Sequence, residues 1–96
     1  MKRLRVLVKG QPPAGFKAQV RASAVKRGLK GFCAETRDKS AIEIVAEGPE
    51  SALKQFLEND LQQILKGANV ELTVEWSEPT GKYKSFRLDR YEEDMA

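Results

Sequence analysis

The sequence predicts an α+β domain of order β-α-β-β-α-β with a short final strand, its two helices lying on one face of an antiparallel sheet. Three observations lead there. Apolar and polar residues alternate with a period of two in the segments 3–9, 41–47 and 69–76. Two other segments, 16–27 and the stretch that Gly48-Pro49 opens and Gly67 ends, repeat apolar residues at helical spacing. Each strand has one apolar face, which fits a sheet covered on one side, and a split βαβ arrangement is the natural closure.

In the first strand Leu4, Val6 and Val8 share one side, with Arg3, Arg5, Leu7 and Lys9 on the other. Gly10 to Gly15 is a tight loop holding Pro12 and Pro13. In the first helix Phe16, Val20 and Ala24 stack at i, i+4 and i+8, and Gly28 is a natural stop. Strands at 31–36 and 41–47 are joined by the polar turn Arg37-Asp38-Lys39-Ser40, with Ile42, Ile44 and Ala46 facing the core. In the second helix Pro49 suits the first position and Glu50 the first turn. Leu53, Phe56, Leu57, Leu61, Ile64 and Leu65 form its stripe. Val70, Leu72, Val74 and Trp76 then face inward, Pro79-Thr80-Gly81 turns the chain, and Phe86 and Leu88 mark the last strand. The result is a ferredoxin-like α/β sandwich.

With 96 residues, 41% hydrophobic and 32% charged, the chain suits one globular domain, expected over residues 1–90 with an acidic, frayed tail at 91–96. No apolar run reaches a membrane span, and the start is too short for a signal-peptide core, so a cytoplasmic location is expected. Cys33 is the only cysteine and there is no histidine. That excludes an internal disulfide, a Ser-His or Cys-His nucleophilic pair and a histidine-ligated zinc; neither metal nor cofactor is expected. Cys33 itself reads as a buried, inert thiol. The net charge of +3 permits an anionic ligand without indicating one.

In this topology the first strand is central. Its outward Arg3, Arg5, Leu7 and Lys9 lie between Glu43, Val45 and Glu47 on one side and Glu71, Thr73 and Glu75 on the other. Cross-strand pairs of this kind stabilise by roughly 0.2–1 kcal/mol each. The row is either a charge-paired solvated surface or a docking face for a protein. It lacks the exposed aromatics on which RNA bases stack, so nucleic acid is not the expected partner.

The segment that invites chemistry is Lys9-Gly10-Gln11-Pro12-Pro13-Ala14-Gly15-Phe16-Lys17. It joins a strand to a helix, where backbone N–H groups and the helix N-terminus attract an anion. It resembles the acylphosphatase signature, a Gly-x-Val-Gln-Gly-Val-x-Phe-Arg loop that wraps a phosphate; Phe16-Lys17 stand at its Phe-Arg end. The resemblance continues through Val20-Arg21, Ala24, Gly28-Leu29-Lys30-Gly31-Phe32 (the family's Gly-Leu-x-Gly-Trp turn), Ala46-Glu47-Gly48, Leu53, Phe56-Leu57, Val74-Glu75-Trp76 and Phe86. It implies hydrolysis of the carboxyl-phosphate bond without a metal or a covalent intermediate. Loop amides and an arginine would hold the phosphate, and an asparagine would position the attacking water. Carried onto this chain, the phosphate cradle falls on Gly10, Gln11, Ala14, Gly15, Phe16 and Lys17. The catalytic pair falls on Lys17 and Glu35, or on Thr36 in place of Glu35 if the extra residue of the following turn lies earlier.

Three departures bear on activity. Lysine is a point charge and lacks the planar fork that binds two phosphate oxygens. Glu35 brings a carboxylate towards a phosphate, and like charges near 4 Å repel by roughly 4 kcal/mol at an effective dielectric near 20. The loop is one residue shorter than the family's pattern, and Pro12 and Pro13 lack N–H donors. The expectation is therefore an acylphosphatase-like domain with weak or no acyl-phosphate hydrolysis and an anion-binding loop at 10–17. Two alternatives stay open: an active acylphosphatase that uses Lys17 and Glu35, and a protein-interaction module that uses the charged sheet face.

Overall fold

The computed structural model describes residues 1–89, so the tail expected at 91–96 lies outside the described residues. Strand β1 (Lys2–Gln11) leads to α1 (Phe16–Lys26), then to β2 (Lys30–Glu35) and β3 (Ile42–Gly48). The second helix begins as α2 (Glu50–Gln55), widens into a π-helical stretch (Phe56–Leu61) and finishes as α3 (Gln62–Ile64). Strands β4 (Asn69–Ser77) and β5 (Phe86–Arg87) follow. The widened turn brings Phe56 and Leu61, five residues apart, onto the same buried face.

The sheet order is β4-β1-β3-β2-β5, with β1 central as expected. One expectation is corrected: the sheet is mixed, because β5 pairs with β2 in parallel while β1–β3, β1–β4 and β2–β3 are antiparallel. The reason is directional. Strand β4 runs against β1, so Ser77 finishes level with Arg3, Glu47 and Lys30, at the end where β2 begins. A chain that crosses from there to the far edge must run in the direction of β2.

The core fills the space between sheet and helices. Leu4, Val6 and Val8 of β1 meet Phe16, Val20 and Ala24 of α1 and Leu53, Phe56 and Leu61 of the second helix, with Cys33, Ile44 and Phe86 among them. Burying a side chain such as Phe56 contributes about 1.5–3 kcal/mol. Val74 and Trp76, on the inward side of β4 with Trp76 at the edge of the core, remain 39% and 41% exposed. Strand β4 is an edge strand and α2 packs over β1 and β3, so the end of β4 overhangs the core.

The opposite face is only partly open. Phe32, Ala34, Val45 and Tyr83 form a second apolar cluster there, with the Phe32 and Tyr83 rings 6.0 Å apart. The segment between β4 and β5 thus acts as a strap across β2 and β3. The charges of this face are paired within the sheet: Arg3 with Glu47 at 3.3 Å, and Arg5 with Glu43 at 2.5 Å and Glu75 at 3.4 Å.

Candidate active site

At the end of β1 the chain makes an abrupt departure. Gly10 has φ +117°, and a Cβ on it would lie 2.3 Å from the Asn69 carbonyl oxygen, so only glycine fits. Gly10 opposes Val70 and Gln11 opposes Asn69. Two residues expected in the loop are therefore the last of the strand, and the turn proper is Pro12 to Gly15.

Gly15, at φ +75°, precedes the first residue of α1, and its carbonyl accepts from the Gln19 amide at 3.1 Å. The Phe16 amide donates to the Pro13 carbonyl at 3.1 Å, and the Phe16 ring is buried in the core. Phe16 therefore anchors the helix, and its amide is engaged within the turn. Lys17 follows in the first helical turn, half-buried. One turn later Arg21 donates from Nε to the Phe86 carbonyl at 3.3 Å, which ties α1 to β5.

On β2, Cys33 and Glu35 share the helix-facing side, opposite Ile44 and Ile42 of β3. Burial pushes the Cys33 thiol up to about 12, opposed in part by the positive charge of Lys17. A cleft of about 210 Å³ opens here, lined by Gly10, Pro12, Lys17, Glu35, Lys39 and Ser40 among others. Lys17 and Glu35, 18 positions apart in the sequence, meet in it. Of the two expected alternatives, Glu35 faces the cleft and Thr36 does not line it. The Thr36 hydroxyl donates to Asp38 Oδ1 at 2.7 Å and accepts from the Ala41 amide at 3.2 Å, so it serves the turn. Gln11 and Ala14 also do not line the cleft; Gly15 and Phe16 line a neighbouring groove with Pro12, Pro13 and Lys17.

The turn 37–40, expected only as a connection, also brings Lys39 and Ser40 to the cleft wall. Asp38 Oδ1 accepts from the Ser40 amide at 3.0 Å and the Ser40 hydroxyl at 2.7 Å, and the Lys39 amide donates to the Thr36 carbonyl at 2.9 Å. This leaves Lys39 at φ +61°. A non-glycine residue in that region costs about 1–2 kcal/mol. The signal available in the sequence was the lysine directly after Asp38, where such a turn favours glycine.

Among the described residues, Lys17, Glu35 and Lys39 have no ion-pair partner, unlike the arginines of the sheet face. A larger hollow of about 440 Å³ lies at the other end of β1, but its lining is paired internally, Lys2 with Glu78 at 3.6 Å and Lys54 with Glu50 at 3.1 Å. Unpaired charge, rather than size, marks the smaller cleft. No cluster of metal-ligating residues occurs among the described residues.

The acylphosphatase family model matches residues 4–88, from β1 through β5. The chain belongs to the acylphosphatase family. It is 41% identical over 83 residues to the acylphosphatase of Thermus thermophilus, covering 84% of this chain and 92% of that protein. It is 33% identical over 91 residues to that of Pyrobaculum aerophilum, covering 92% and 94%. The crystal structure of the acylphosphatase from Bacillus subtilis superposes with a TM-score of 0.79 at 31% identity, over 93% of this chain and 99% of that one. The family match spans both Lys17 and Glu35. No helix among the described residues is long and apolar enough to cross a membrane.

Proposed function

We propose that this chain binds the phosphoryl group of a small acyl phosphate in the cleft between α1 and β2, and hydrolyses it slowly compared with a family member that carries the arginine and asparagine pair. The observation that carries this reading is the convergence of Lys17 and Glu35, from different elements, on one cleft where neither is paired. Lys17 attracts the phosphoryl oxygens as a point charge and does not impose the bidentate geometry of a guanidinium. Attack of water on phosphorus breaks the bond to the acyl oxygen and releases a carboxylate and phosphate. The carboxylate is a good leaving group, so charge stabilisation and water placement carry most of the catalysis. Glu35 repels the phosphoryl group and also offers a base for the proton of the attacking water.

That Glu35 is exposed and unpaired favours a second reading, a fully active enzyme in which it serves as general base. The interaction-module alternative draws less support, because the charges of the sheet face satisfy one another and the strap covers part of that face.

Hydrolysis of benzoyl phosphate by wild type, Lys17→Ala, and Lys17→Arg combined with Glu35→Asn tests the proposal. The expected result is a slow wild type, a further loss of about 10- to 100-fold in Lys17→Ala, and a faster double variant. A wild type as fast as the double variant, with activity lost in Glu35→Gln, would establish the second reading. An unchanged Lys17→Ala rate would move the chemistry away from this cleft.

A further inference from the structure

The charge balance of the cleft does not close with Lys17 and Glu35 alone. One positive and one negative side chain offset each other, so this pair adds no net charge towards a phosphoryl dianion. The remaining charged residue on the cleft wall is Lys39. It comes from the β2–β3 turn, a different element from the helix that carries Lys17, and has no ion-pair partner among the described residues. Its backbone adds a second, independent observation. Lys39 is the one non-glycine residue with positive φ among the described residues, at +61°. A turn that needed only to reverse the chain would be relieved by glycine there. Asp38 binds the Thr36 and Ser40 hydroxyls and the Ser40 amide, and so fixes the strained conformation. Strain held in place by its neighbours at the rim of a cleft points to a side chain required at that spot.

On the basis of the function proposed above, we infer that Lys39 is a substrate-binding residue whose ammonium engages the phosphoryl oxygens together with Lys17. Two point charges from two elements then take the place of one planar guanidinium. Lys39 offsets the charge of Glu35 beside the bound phosphate. The long, flexible lysine stem suits this role, since it lets the ammonium follow the phosphate rather than fix its orientation.

Binding of inorganic phosphate, measured by calorimetry at low ionic strength, and thermal unfolding of the same samples test the inference. Lys39→Gly and Lys39→Gln are expected to weaken phosphate binding by about 5- to 20-fold, the weight of one partly solvated unit charge. The difference shrinks at high salt. Lys39→Arg keeps the affinity near wild type. The Lys39→Gly melting midpoint is expected to stay level or rise, because the left-handed backbone is relieved; if it falls, Lys39→Gln, which keeps the side-chain stem, decides. Phosphate binding unchanged in both neutral variants but lost in Lys17→Ala would make Lys39 a turn residue only and leave the proposed function standing. A wild type that binds no phosphate at millimolar concentration would overturn both.

Discussion

Glu47 holds Thr80 twice: its carboxylate accepts from the Thr80 amide and from the Thr80 hydroxyl, each at 2.9 Å. The Gly81 amide adds a bond at 3.0 Å and Arg3 one at 3.3 Å, around a side chain that is 5% exposed. This is how the strap is fastened to β3. Burial pushes the Glu47 carboxyl up, and the Thr80 and Gly81 donors with Arg3 outweigh it, so it lies below its ordinary value. A depressed folded-state value means the stabilisation is complete above the unfolded carboxylate range and is lost as pH falls through the folded value. Glu47→Gln should therefore destabilise the fold by about 1.5–3 kcal/mol near neutral pH, with the gap to wild type closing in acid. Urea unfolding at pH 7 and pH 3 measures this, and equal midpoints at pH 7 would refute it.

Gly10→Ala is expected to destabilise by more than about 1–2 kcal/mol, because the new methyl meets the Asn69 carbonyl at 2.3 Å in a backbone region alanine avoids. The same change displaces the end of β1 from β4, so the proposed phosphate binding is expected to fall with stability. A circular-dichroism melt settles the first point. A midpoint within a degree of wild type would show that the β1–β4 ladder yields more readily than its close approach implies.

Cys33 should not react with a thiol reagent in the native state. It is fully buried, and burial pushes its thiol up to about 12, so thiolate is scarce at neutral pH even with Lys17 nearby. Labelling by an aromatic disulfide is expected only after denaturant is added. Fast native labelling would mean that β2 and α1 separate readily, and would also make the Lys17 position less fixed than its packing indicates.

Asp38 is held down to about 2 by the hydroxyls of Thr36 and Ser40, followed by the Ser40 amide. Its contribution is present above the ordinary aspartate value near 3.9 and fades only as pH falls through the lower one. The turn should therefore stay ordered at pH 3, where an unperturbed aspartate would already be protonated. Carboxyl NMR titration reads this directly. Asp38→Ala should speed exchange of the Ser40 amide by roughly fivefold. Unchanged exchange would show that the backbone alone holds the turn.

Much of the fold was legible because one-sided alternation leaves few arrangements. Leu4, Val6 and Val8 could face only a helix layer, and the split βαβ arrangement puts β1 at the centre, with Arg3 and Arg5 between two glutamate rows. The direction of β5 was not legible, since Phe86–Arg87 is too short to carry a pattern and its partner depends on how the chain crosses the sheet. Nor was the buried role of Glu47, because a carboxylate on an alternating strand reads as solvated until its donors, 33 and 34 positions away, are known. In the candidate site, the family resemblance singles out Lys17 and Glu35, and the structure brings both to one cleft. Lys39 reaches the same cleft from a turn whose charged residues ordinarily signal only solvent.

Arg21 clasping the Phe86 carbonyl has a consequence for synthesis. The helix that presents Lys17 is made early, yet its fastening arrives some 65 positions later, and β1 must wait equally long for β4. On the ribosome these first-made elements lack their final neighbours until nearly the whole domain has emerged, so the cleft is completed in one late step and not by increments.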